Sequence, residues 1–175
     1  RVETLALDLS SRTSVALTRV LCAKQWHIEP KFTPAEPDLD AMLRRADAAL
    51  VIGDPAFEVD PAKHNVTKID LGAEWKALTG LPFVYAMWVG RPDAATPAQC
   101  RALTQARDAG VAHLPKIAKD VGGGNADLEQ RVLSYLRDNL KYGLGRAEQA
   151  GLRKFYELAA EIGVVPGLEP LRFYE

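Results

Sequence analysis

The chain has 175 residues, a mass of 19.1 kDa, 47% hydrophobic and 26% charged residues, and a formal net charge of −1. Those proportions are ordinary for a soluble globular protein with a real core, and the length suits one domain or one large lobe of a cleft protein. The balanced charge argues against a nucleic-acid partner, and no apolar run approaches the roughly 20 residues that a membrane-spanning helix needs.

In chain order, Thr4 to Asp8 (TLALD) reads as a short strand and Arg12 to Lys24 as a helix, with a polar turn between them. The opening RVETLALD lacks the apolar core of a signal peptide and looks like the beginning of a strand. Pro30 to Thr33 is a weak second strand. Asp38 can cap a short helix whose Leu39, Met42, Leu43 and Ala46 fall at i, i+3, i+4 and i+7. Ala48 to Gly53 (AALVIG) is an uninterrupted apolar run, as in a strand buried on both faces. Val66 to Leu71 reads as another strand, followed by a turn of helix around Trp75. Pro82 to Val89 (PFVYAMWV) is the longest apolar stretch, and its aromatic content predicts a central strand.

After Pro97 the pattern turns helical. Leu103, Ala106, Gly110, Leu114 and Ile117 mark one helix, and Leu128, Val132, Leu136 and Leu140 a second. Phe155, Leu158, Ala159 and Ile162 mark a third. The Gly122-Gly123-Gly124 run breaks the first from the second, and Gly143 and Gly145 separate the last two. Regular structure ends at Pro166, Gly167 and Pro170. We therefore expect an α/β lobe over residues 1–95 and a helical part over 96–175 that covers it or joins a neighbouring lobe. Cys22 and Cys100 fall inside helices without metal or redox spacing; read as reduced thiols, they favour the cytoplasm.

In open α/β sheets, ligands sit beyond the carboxyl ends of the strands, which singles out three junctions. The first is "LDLSSRTSVALTRVL". A helix start offers free N–H groups and partial positive charge; Ser11, Thr13 and Ser14 can add hydroxyl donors and Arg12 a bidentate grip. No Gly-rich loop or Lys-Ser/Thr pair accompanies it, so a small carboxylate or phosphate suits it better than a nucleoside triphosphate. A plain N-cap explains the same residues equally well. At the second, "ALVIGDPAF", Gly53 permits close backbone approach and Asp54 stands at the strand tip, where capping of the Pro55 turn is the commoner role. The third, "DLGAEWKALTGLPFVYAMWVGR", supplies Trp75, Phe83, Tyr85 and Trp88, which wall either a pocket or, more commonly, a core. His27, His64 and His113 are scattered, and no Ser-His-Asp, HExxH or CxxC pattern appears. Any chemistry here runs on positioning and hydrogen bonding.

Taken together and in this order, the three blocks resemble the chorismate dehydratase family of the futalosine-dependent menaquinone pathway. The sister dihydroxynaphthoate synthases match them less well. The resemblance implies a periplasmic-binding-protein-like type 2 fold of two lobes with the ligand in the cleft. It implies loss of water from chorismate to give 3-[(1-carboxyvinyl)oxy]benzoate, without a cofactor or metal. By the same match Ser11, Arg12, Thr13 and Ser14 hold a substrate carboxylate, and Gly53 and Asp54 border the cleft. Family members begin with a further segment, including an Asn, that builds much of the first lobe. Nothing here matches it, so the chain is expected to be the second lobe plus C-terminal helices returning to the first. The rival reading is a solute-binding lobe that captures a small carboxylate without reacting. The sequence admits a homodimer without specifying one.

Overall fold

The computed structural model describes residues 1–174. It is an α/β structure with a small, wholly parallel sheet and many helices. The chain forms two compact units, one of Arg1–Met87 with Gly145–Pro170, the other of Trp88–Leu144 with the segment that begins at Leu171.

In the first unit the sheet has the order β2-β1-β3, with β1 at Thr4–Asp8, β2 at Lys31–Ala35 and β3 at Ala48–Leu50. Register pairs Leu5 with Phe32 and Ala48, and Leu7 with Pro34 and Leu50. Central β1 is buried from Leu5 onward, as its apolar run requires. Pro34 lacks a ladder donor and sits on edge strand β2, where sheets tolerate it. Helix α1 spans Arg12–Lys24 and α2 Leu39–Leu43, the latter capped by Asp38 accepting the Ala41 N–H.

Three expected strands differ from the structure. The apolar run Ala48 to Gly53 leaves the sheet at Leu50, and Gly53, at φ +65°, opens the short helix α3 (Gly53–Glu58). That left-handed turn is what glycine permits. Val66 to Leu71 is no strand. Helix α4 (Pro61–His64) precedes it, and Asp70 accepts the Ala73 N–H to start α5 at Leu71–Thr79. A strong N-cap wins over weak strand propensity. Pro82 to Val89 forms no strand and lies outside the sheet; Phe83 and Tyr85 pack against other rings, while Trp88 is exposed. Phe83 meets Trp75 edge-on at 5.4 Å between ring centroids and Tyr85 at 4.7 Å.

Helix α1 joins the two parts of the core. Leu17, Val20 and Leu21 pack with Trp75 of α5 and with Phe155, Leu158 and Ala159. Those last three belong to the terminal helix described below. Leu5, Leu7, Cys22 and Leu50 form an adjoining cluster.

The second unit is helical. Helix α6 (Pro97–Ala112) starts with a reciprocal capping box between Thr96 and Gln99. The single helix expected through Ile117 divides at His113, because Pro115 has no N–H to give the Val111 carbonyl that a continuous helix would use, while proline is tolerated in the first turn of a new one. Helix α7 follows at Leu114–Gly122 and α8 at Ala126–Ser134, which ends in a π-helical turn at Tyr135–Asn139. A Cβ at Gly122 would lie 2.1 Å from Glu129 Cγ, so glycine sets the α7–α8 approach. Helix α9 (Arg146–Glu161) belongs to the first unit.

Candidate functional site

The carboxyl ends of β1 and β3 lie side by side in the parallel sheet. From β1 the chain passes to β2 on one side, then crosses to β3 on the other. Strand order reverses between β1 and β3, and such a switch point opens a crevice where open α/β sheets bind ligands. The turn after β1 holds Ser10 to Ser14; the turn after β3 holds Gly53 and Asp54. Topology therefore brings the first two junctions to one edge. Of the aromatic third junction, Trp75 is fully buried in the core with Phe83 and Phe155, whereas Tyr85 and Trp88 are exposed.

Each polar side chain of the first turn has a distinct task. Ser11 is the N-cap of α1, and its Oγ accepts the Ser14 N–H at 3.1 Å. The same hydroxyl donates to Ser14 Oγ at 3.0 Å. Thr18, one turn further on and buried, donates its hydroxyl to the Ser14 carbonyl at 2.9 Å. Ser14 is only 6% exposed and is thus held by three bonds from within α1 and its cap. At the start of the turn, buried Asp8 accepts the Ser10 N–H at 2.9 Å.

What remains is a set of donors. The backbone N–H groups of Arg12 and Thr13 have no partner among the described residues, because the first bond back to the turn is Val15 N–H to the Ser11 carbonyl at 3.1 Å. The exposed Arg12 guanidinium and the half-buried Thr13 hydroxyl have none either. Ser14 accepts from Ser11, so its own hydroxyl proton is also left over. Two orphan amides at a helix start, backed by the helix dipole and a guanidinium, make a place for a carboxylate or a phosphate. Ser11 differs from the sequence-based expectation, which counted its hydroxyl among the ligand donors. That hydroxyl is spent on capping.

Gly53 and Asp54 are exposed at the start of α3 rather than at a strand tip. The Asp54 side chain has no hydrogen-bond or ion-pair partner among the described residues, and no atom lies within 4 Å of a Cβ built at Gly53. Asp8 opens the first junction in the sequence without a role assigned to its side chain, and Thr18 lies outside the three junctions. Their signal was a polar residue closing an apolar strand and another at i+4 from a turn serine.

Both cysteines are free thiols, and burial pushes Cys22 up to about 11. Among the described residues no three His, Cys, Asp or Glu side chains gather into a metal-holding group, and no helix is long and apolar enough to cross a membrane.

Comparison with known proteins points to the same biochemical setting. A family described as menaquinone biosynthesis matches residues 1–161. The chorismate dehydratase of Thermus thermophilus is 31% identical over 168 residues, covering 87% of this chain and 61% of the relative. The chain thus spans less than two thirds of that relative's length. On the strength of the family match across nearly its whole length, the chain belongs to the menaquinone biosynthesis family.

Proposed function

We propose that this chain carries the chorismate-binding lobe of a chorismate dehydratase, a hydro-lyase that removes water from chorismate to give 3-[(1-carboxyvinyl)oxy]benzoate. The observation that carries the reading is the pair of unpartnered amides at Arg12 and Thr13, set at the switch point of the sheet. Membership of the menaquinone family and likeness to a chorismate dehydratase supply the substrate. In this reading the Arg12 and Thr13 amides, the Arg12 guanidinium and the Thr13 and Ser14 hydroxyls hold one substrate carboxylate. Ser11 shapes the turn, and Gly53 and Asp54 border the same cleft.

The fold reading is periplasmic-binding-protein-like type 2. Residues 1–95 form the lobe with the ligand-binding turns, and the helical part over 96–175 packs on that lobe or on a first lobe. The enzyme works in the cytoplasm without a cofactor.

The chemistry suits such a site. Loss of the C3 proton and the C4 hydroxyl makes the ring aromatic, which supplies the driving force. The protein's task is to bind a dianion, align the breaking bond and exclude water. Amides fixed before the reaction begins also stabilise charge that moves into the ring carboxylate.

Incubating the chain with chorismate while following absorbance and product mass tests the proposal. Aromatic product appearing as chorismate disappears supports the dehydratase. Saturable binding without product favours a solute-binding lobe, and neither binding nor product refutes both.

A further inference from the structure

We infer that Asp8 reads a hydroxyl of the ligand, accepting a hydrogen bond from the C4 hydroxyl of chorismate beside the amides that take its carboxylate. The inference rests on the reading of the Ser10–Ser14 turn as a chorismate site.

Asp8 closes the central strand β1 at 2% exposure and is the only charged side chain buried to that degree among the described residues. One carboxylate oxygen accepts the Ser10 N–H at 2.9 Å. The other has no hydrogen-bond or ion-pair partner among the described residues. Every fully shielded side-chain polar atom among those residues does have a partner, so the second oxygen is one that solvent, or a ligand, can reach.

The fold makes little use of this charge. Bonding Ser10 N–H needs only an acceptor, and Asn or Ser at position 8 would supply one. A buried carboxylate without a cation costs free energy that a neutral residue would avoid. Asp8 lies three residues before the N-cap Ser11, at the same strand end as the orphan amides of Arg12 and Thr13. The edge therefore presents donors and an acceptor together. A carboxylate alone satisfies the donors; a molecule that also carries a hydroxyl satisfies both. A site that bonds a hydroxyl holds an analogue lacking one less tightly, because the acceptor beside the bound anion then gains no ligand partner.

Chorismate carries that hydroxyl and its dehydration product does not. Asp8 thus favours substrate over product, and losing the hydroxyl loosens the product's hold at this point. The comparison of the two compounds also provides the test. Calorimetric titration of the chain and of Asp8→Asn and Asp8→Ser with each compound is expected to show chorismate affinity falling about tenfold or more in both variants, the weight of a charge-assisted hydrogen bond. Product affinity should hold or rise, because the turn and its amides persist and one negative charge beside the bound anion is gone. Equal losses for both compounds, or none, overturn the role of Asp8 while leaving the anion turn standing. Failure of both variants to fold would assign the charge to the fold and overturn it too. An unaltered chain that binds neither compound would overturn the turn reading and this inference together.

Discussion

Gly151 of α9 lies against the backbone of Pro82: a Cβ at position 151 would stand 2.1 Å from the Pro82 carbonyl oxygen. The same carbonyl accepts the Trp75 indole N–H at 3.3 Å, so it cannot swing away without releasing a bond at the centre of the core. This close approach brings Phe155 edge-on to Phe83 at 5.0 Å and to Trp75 at 6.1 Å. Overpacking at such a contact costs about 1–3 kcal/mol. Gly151→Ala should lower stability by that amount in urea unfolding. Gly110→Ala on α6, where a Cβ meets nothing within 4 Å, should raise it by about 0.5–1 kcal/mol through helix propensity alone. Opposite signs for the same substitution separate packing from propensity.

Ser11 allows capping and ligand binding to be pulled apart. Ser11→Ala removes the acceptor for the Ser14 N–H and should cost about 1 kcal/mol of stability. Ser11→Asp keeps an acceptor and suits the helix dipole, so stability should hold or rise. It also puts a negative charge where the substrate carboxylate is proposed to sit. Chorismate affinity in Ser11→Asp should therefore fall more than in Ser11→Ala, although the protein is more stable. Thermal melting and calorimetry on the pair provide both readouts, and parallel changes in the two would count against an anion at this turn.

The elements that sequence reads well here are those whose signal is local. Strand β1, helix α1 and the Asp38 cap follow from an apolar run, a 3.6-residue spacing and one side-chain acceptor. The Pro82 to Val89 segment shows the other case. Its composition fits a strand, but strand formation depends on a neighbouring ladder, and Trp75 and Phe155 offer its aromatic rings better packing. The candidate site divides the same way. Serines, a threonine and an arginine ahead of a helix mark the turn and leave capping and anion binding equally open, whereas two bonds to Ser14 assign the Ser11 hydroxyl to capping. For Asp8 the sequence shows a polar residue closing an apolar strand, but its burial is a tertiary property.

Asp47 gives the sheet a pH dependence with a definite sign. Its carboxylate accepts the Glu3 N–H at 2.9 Å, the Thr4 N–H at 2.8 Å and the Thr4 hydroxyl at 2.9 Å, tying the entry of β1 to that of β3. The Glu3 amide first, then the Thr4 hydroxyl and amide, hold its acidity below the usual aspartate range. A carboxylate depressed in the folded state contributes fully above its unfolded value of about 3.9 and loses that contribution as pH falls through the lower folded value. Urea midpoints should therefore fall below pH of about 4. Asp47→Asn should be less stable near neutrality and show a flatter acid limb. A variant with an unchanged acid limb would assign the loss to other carboxylates.

Arg12 offers the sharpest separation of fold from function. Its side chain is exposed and has no hydrogen-bond or ion-pair partner among the described residues, so Arg12→Ala should leave stability within about 0.5 kcal/mol. If the guanidinium grips a chorismate carboxylate, the same variant binds chorismate more weakly, and its affinity depends less on salt because one attractive charge is gone. Arg12→Lys keeps the charge but loses the planar two-pronged donor, so its affinity should fall between the two while its salt dependence stays near that of the unaltered chain. Titrations at two ionic strengths give four numbers for each variant pair. A lysine variant that matches alanine in affinity but not in salt dependence would point to geometry as the main contribution. Identical binding by all three proteins would remove the Arg12 side chain from the site and leave the Arg12 and Thr13 backbone amides to hold the anion.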